Sequence, residues 1–303
     1  MKLQDYEILY DRPQGEYDPS GVGGIRTRTI RAGDILEVEC YPITQANREA
    51  RREAKRRRST TAQARLNRRN AQRRMERLLE ANFTPEDFVF TGTYAYPEHD
   101  PGLMDLDEVR RIYEADRLPW DEQDAKRDVV NYLARVKRLV KKRGGDPKMV
   151  KYLYVIEHGK QPRELGLPRR YHFHGVISAP GLTARELKAL WDRGFTQCDH
   201  FDRRHGGAAR LSRYLTKQYG SGEDGQRHRS FCHSRNLKEP TVTVSDRKVS
   251  RRRAARVAMD VMYSGREIME AIYPGYRCEE LPEVRFSDFV AGAYIYVKMR
   301  RRD

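Results

Sequence analysis

The seven residues Tyr-His-Phe-His-Gly-Val-Ile at 171–177 carry the densest chemistry in the chain. Alternate side chains of a strand share a face, so His172 and His174 point one way and Phe173 the other. Two imidazoles one strand step apart can share a metal ion, although such a pair also occurs as ordinary sheet histidines. The preceding run, Lys-Tyr-Leu-Tyr-Val-Ile-Glu-His-Gly at 151–159, is the natural hairpin neighbour and ends near Glu157. A carboxylate there completes a two-histidine, one-carboxylate set with open positions. That set suits a hard divalent cation, Mg2+ or Mn2+, and leaves room for a phosphate oxygen. The alternative for Glu157 is a surface acid on an edge strand. His158 is a rival ligand, but its side chain is expected on the opposite side of the strand.

A second group lies downstream in Leu-Ser-Arg-Tyr-Leu-Thr-Lys-Gln at 211–218. Tyr214 and Lys217 are three apart, so on a helix they project from nearly one face. A tyrosine hydroxyl, with a pKa near 10, is a poor nucleophile until activated. It can attack a phosphodiester where a metal polarises the phosphate, and a neighbouring ammonium favours phenolate and the developing negative charge. In isolation, a Tyr-x-x-Lys is usually a packed tyrosine beside a solvated lysine. Cys198-Asp199-His200 with Cys232-His233 offers a rival metal set, for zinc, but the spacing fits no standard zinc pattern. The cysteines form no Cys-x-x-Cys, and disulfides are not expected in a reducing compartment.

These residues need a scaffold. Phe-Val-Phe-Thr-Gly-Thr-Tyr at 88–94 reads as a strand. A helix is predicted at about 121–143, with Asp121, Glu122 and Asp124 in its first turn, Lys141, Lys142 and Arg143 in its last, and Gly144-Gly145 ending it. Val129, Leu133, Val136 and Val140 fall on one face, the one that covers a sheet. The two strands of the His-Phe-His region follow. Thr183 and Glu186 form a capping box opening a second helix, which Gly194 is expected to end. Phe195–Phe201 is a predicted strand, and a third helix carries Tyr214. The order predicts an α+β fold: a ferredoxin-like, split β-α-β antiparallel sheet with helices on one face.

The flanks differ in character. Residues 25–43 alternate polar and apolar about Ala32-Gly33-Asp34 and predict a β-hairpin. Residues 45–82 have no Gly or Pro, are strongly helical in propensity, and show an apolar stripe only near Met75, Leu78 and Leu79. Their excess of Lys and Arg cannot be balanced by local pairing, so this basic helical N-terminal extension is read as an arm lying along a DNA backbone. The expected division is residues 1–85 as hairpin and arm, 86–240 as the catalytic domain, and 241–303 as a C-terminal extension.

Over 303 residues, Lys plus Arg number 60 against 44 Asp plus Glu, for a net charge of +16. Such an excess favours a polyanionic partner through counterion release. No apolar run approaches the roughly 18–20 residues of a membrane span. The N-terminus lacks the apolar stretch of a signal peptide, so a cytoplasmic protein without a membrane partner is expected.

The strand Phe-Thr-Gly-Thr-Tyr, the His-Phe-His strand with its upstream Glu157, and the later Tyr214-x-x-Lys217 stand in a specific order. In these features residues 86–240 resemble the HUH endonuclease superfamily, named for the His-hydrophobic-His motif, and most closely its single-tyrosine rolling-circle replication initiators of plasmids, phages and integrative elements. Ser-Arg-Asn-Leu-Lys-Glu-Pro at 234–240 and the run from Arg65 to Phe83 are similar to segments of such initiators. The resemblance implies Tyr214 as nucleophile, with Glu157, His172 and His174 as metal ligands. It implies that Lys217 assists at the phosphate, that Thr91, Thr93 and Tyr94 lie near the DNA path, and Arg213 is a further DNA-binding candidate. It also implies a 5′-phosphotyrosine intermediate and a free 3′-hydroxyl for priming. Tyr219 follows Tyr214 by five positions, well around the helix, so a single nucleophile is expected. No Gly-x-x-x-x-Gly-Lys-[Ser/Thr] is present, so a separate helicase and DNA polymerase are expected to act with the protein on single-stranded origin DNA. The alternatives are a relaxase or single-strand transposase using the same chemistry, and a non-catalytic RRM-like single-strand binder. A tyrosine downstream of the His-x-His motif argues against the commonest relaxases.

Overall fold

The computed structural model describes residues 10, 12–44, 60–96, 105–158, 170–202, 207–216, 231–287 and 290–302. Contacts divide the chain into two compact units, Arg68–Lys238 and a unit made of Met1–Asn67 with Glu239–Asp303. In chain order the elements are β1 (Gly24–Ala32), β2 (Ile35–Ile43), α1 (Thr60–Asn82), β3 (Phe88–Tyr94), α2 (Leu106–Ala115), α3 (Glu122–Lys142), β4 (Lys151–His158) and β5 (Tyr171–Ser178). They continue with α4 (Ala184–Ala189), β6 (Gly194–His200), α5 (Gly207–Leu215), β7 (Cys232–His233), β8 (Thr241–Ser245), α6 (Arg251–Met259), α7 (Arg266–Ile272), β9 (Tyr276–Cys278), β10 (Glu283–Arg285) and β11 (Tyr294–Arg301). The fold is α+β with antiparallel sheets. No described helix is long and apolar enough to cross a membrane.

The Arg68–Lys238 unit is built on a five-stranded sheet of order β6-β3-β5-β4-β7. Its first four strands have the order expected of a split β-α-β layout, every neighbour antiparallel. The predicted face of α3 is buried: Val129, Leu133, Val136 and Val140, joined by Ala125 and Tyr132. Asp121 caps that helix by accepting from the Asp124 backbone N–H, and Gly144 past its end has φ +83°. Phe90, Phe173, Tyr132 and Trp191 form an aromatic core between α3, α4 and the sheet.

The Thr183–Glu186 capping box is present, but α4 ends at Ala189, earlier than Gly194. Trp191 leaves the helix to enter the aromatic core, and its Nε1–H donates to the Thr93 carbonyl at 3.2 Å. Gly194 instead opens β6 at φ +149°, where a Cβ would lie 2.5 Å from the Thr93 carbonyl oxygen. Helix α2, capped by Asp105 with Val109 and Tyr113 buried, was not anticipated from the sequence.

The opposite sheet face also carries helices. Met75, Leu78 and Leu79 of α1, with Phe83, cluster with Leu153, Val155, Val176, Phe201, Ala208 and Leu215. Residues 68–82, read as part of a DNA-binding arm, therefore belong to this core: three of their apolar side chains are fully buried, and Glu76, Glu80 and Asn82 are buried with them. The arm's residues 45–59 lie outside the described residues.

In the other unit the predicted hairpin is present, β1 pairing β2 around Gly33 at φ +57°. The C-terminal segment pairs with it, β11 on β2 and β8 on β1. The first and last parts of the chain thus form one sheet of order β10-β11-β2-β1-β8, rather than the two separate extensions drawn from the sequence. Leu36, Val38, Ile295, Val297 and Met299 meet Val257 and Met269 of α6 and α7 in its core.

Candidate active site

The site begins with Phe173. Its ring packs 5.3 Å from Phe90, 5.1 Å from Trp191 and 5.8 Å from Tyr132, so the side chain between the two histidines is anchored in the core. Alternation then holds His172 and His174 on the other face. Gly92 makes this packing feasible, since a Cβ there would lie 2.3 Å from Cε1 of Phe173. Gly175 acts similarly on the other flank. Its missing side chain lets β4 approach, where a Cβ would lie 2.6 Å from the Leu153 carbonyl oxygen.

Register does the rest. Glu157 pairs with His172 across β4 and β5, and Thr91 and Thr93 of β3 pair with His174 and His172. Glu157 Oε2 lies 3.3 Å from His172 Nε2 and 3.6 Å from His174 Nε2. One ligand atom from each residue falls within 4.8 Å of the others, a group able to bind a metal ion. Thr91 Oγ1 is 2.8 Å from His174 Nδ1. The remaining ring nitrogen, His174 Nε2, is buried without a hydrogen-bond partner. A buried orphan of this kind is costly unless it has a ligand, and this one faces the carboxylate. Burial holds the His174 pKa down to about 4, with Glu157 pulling the other way and His172 adding to the depression. The imidazole is therefore neutral and ready to donate a lone pair. The set fits a divalent cation in donor type, number and protonation.

Tyr214 stands edge-on to His174, with ring centroids 5.4 Å apart, and is half exposed. Helix α5 is fixed by Ala208 and Leu215 in the core and by Ser212, whose hydroxyl donates to the Ala209 carbonyl. Burial and the negative charge of Glu157 raise the Tyr214 pKa, so the phenol is protonated and needs activation to attack. Arg213 is exposed on the same helix. Lys217 and Tyr219 lie outside the described residues.

Two sequence readings change. Tyr94 is not near the Thr91–Thr93 face. Its ring is buried on the α3 side against Trp191, and its hydroxyl donates to Asp128 at 3.2 Å. The strict alternation of β3 carried that signal, because Tyr94 must oppose Thr93. Cys198 and Cys232 sit on β6 and β7, the two edges of the sheet, so they share no metal. Burial also lifts the Cys198 thiol to about 11. His158 faces away from Glu157, its ring 6.2 Å from that of Tyr171.

The segment at 234–240 is a clasp. Ser234 Oγ accepts from the Tyr152 backbone N–H, and Asn236 Nδ2 donates to the Lys148 and Val150 carbonyls. Asn82 closes it, donating to the Lys238 carbonyl and accepting from the Lys238 N–H. These bonds tie β4, and with it Glu157, to the end of α1.

Residues 113–219 match the family model for replication-associated proteins of the ORF2 type. The matched stretch contains Glu157, His172, His174 and Tyr214, and it supports the resemblance to rolling-circle replication initiators. No curated protein matches the chain, and no solved structure does.

Proposed function

We propose that the protein initiates rolling-circle replication as a single-stranded DNA endonuclease and strand transferase. The observation that carries this reading is Tyr214 standing over His174, on the sheet face where Glu157, His172 and His174 converge. The match to replication-associated proteins supports the biological role.

In this reading Tyr214 Oη attacks the scissile phosphorus. The new phosphotyrosine bond forms as the bond from phosphorus to the 3′-oxygen breaks; the phenol gives up its proton, and the leaving 3′-oxygen takes one. Glu157, His172 and His174 hold Mg2+ or Mn2+, which when bound polarises a phosphate oxygen and offsets the charge of Glu157. Thr91 orients His174 through the Nδ1 side of the ring. Lys217 is assigned to the phosphate and Arg213 to the flanking backbone. No water is consumed, so the phosphotyrosine keeps the bond energy for rejoining. A separate helicase and polymerase, acting in the cytoplasm, complete the process.

End-labelled single strands incubated with protein and Mn2+ test the polarity. The protein should retain the fragment beginning at its 5′-phosphate and release one whose 3′-hydroxyl a polymerase extends. A released 3′-phosphate that blocks extension would overturn the proposal.

A further inference from the structure

Phe195 is the most exposed large apolar side chain among the described residues of the Arg68–Lys238 unit, at 74%. It belongs to none of the apolar clusters of that unit. It sits on β6, an edge strand, and pairs with Thr93, which pairs in turn with His172. Glu157 pairs with His172 on the far side. Directly paired residues of antiparallel strands share a face, so Phe195, Thr93, His172 and Glu157 form one row across the sheet. At about 4.8 Å per strand, Phe195 stands about 10 Å from His172.

That row lies beyond the apolar cover. Helices α1 and α5 pack on Val89, Leu153, Val155 and Val176, one or two rows away, and none of the four row residues joins that cluster. The row's only apolar side chain is thus presented to solvent beside polar Thr93 and Gln197, on the face that bears the metal-binding group. A lone exposed apolar residue needs no explanation by itself. Its register with the reacting centre supplies one.

We propose that Phe195 is a stacking platform for a nucleobase next to the phosphate held at Glu157, His172 and His174, a proposal that takes the neighbouring phosphate from the nuclease reading above. Stacking on an aromatic ring is open to any base, since every base has a π-face, so Phe195 contributes affinity and strand placement more than sequence choice. Thr93 lies between the platform and His172, where a sugar-phosphate link passes.

The test uses full-length protein carrying Tyr214→Phe, so that no strand is consumed, with Mn2+ and two fluorescent probes of equal length: oligo-dT and an abasic strand. Phe195→Ala should weaken oligo-dT binding roughly 5- to 100-fold, and Phe195→Trp should restore it. Against the abasic strand the variants should bind alike. Unchanged oligo-dT affinity in Phe195→Ala, or an equal deficit on the abasic strand, would overturn the platform. Adduct formation by the protein with Tyr214 intact is scored separately. If no adduct forms but the base-dependent deficit is present, the nuclease reading fails and the platform stands. If adduct forms while Phe195→Ala leaves affinity unchanged, the platform alone fails.

Discussion

Thr91 Oγ1 lies 2.8 Å from His174 Nδ1, while the other ring nitrogen of His174 is buried and unpartnered. In the tautomer that a metal needs, Nδ1–H donates to Thr91, and Nε2 keeps its lone pair toward Glu157. Thr91→Val keeps the strand and the shape but removes the acceptor. Mn2+ affinity, read by isothermal titration, should fall about 10- to 100-fold, with thermal stability nearly unchanged. Unaltered affinity would mean that the hydroxyl does not orient the ring.

Gly92 is the second test of how the site is positioned. A methyl there meets the Phe173 ring, which is wedged among Phe90, Trp191 and Tyr132 and cannot retreat cheaply. Gly92→Ala should cost about 1–3 kcal/mol of stability and weaken metal binding by tilting the His-Phe-His strand. A melting temperature equal to that of the parent would show that Phe173 is not confined as described.

The end of α1 separates a packing role from a DNA-binding one. Leu78 is fully buried in the cluster with Leu153 and Val176. Leu78→Ala should therefore cost about 2–5 kcal/mol, seen as a lower denaturation midpoint. Removing residues 1–82 should yield insoluble protein, because it opens the same core. A soluble, fully folded product of that deletion would return residues 68–82 to the role of an external arm.

Much of the site was legible because it depends on local periodicity. Alternation placed His172 and His174 together, and adjacency of two strands brought Glu157 to them. The helix signals at Asp121 and Thr183 were likewise contained within a few residues. What escaped was non-local. Nothing near Ile295 or Val297 names β2 as its partner, so the union of the two chain ends was invisible. The charge of 45–82 masked the burial of Met75, Leu78 and Leu79, whose partners lie on strands far along the sequence. Tyr94 is different: the alternation that placed Thr91 and Thr93 already put it on the other face, and the family resemblance overrode that reading.

Arg213, exposed beside Tyr214, should contact the DNA backbone. Arg213→Ala should weaken binding of single strands and flatten its log-log dependence on salt by about 0.7 for one lost phosphate contact. A weaker but parallel salt line would place the arginine away from phosphate.

The central claim is that the Tyr214 hydroxyl becomes covalently joined to DNA. The most direct measurement incubates protein with Mn2+ and a mixed-sequence pool of single strands, denatures the mixture, and maps the linked nucleotide by peptide mass spectrometry. The account predicts an adduct on Tyr214, lost in EDTA and restored by Mg2+ or Mn2+, and absent from Tyr214→Phe, whose DNA binding stays nearly intact. An adduct that persists in Tyr214→Phe, or that maps to another residue, would contradict it.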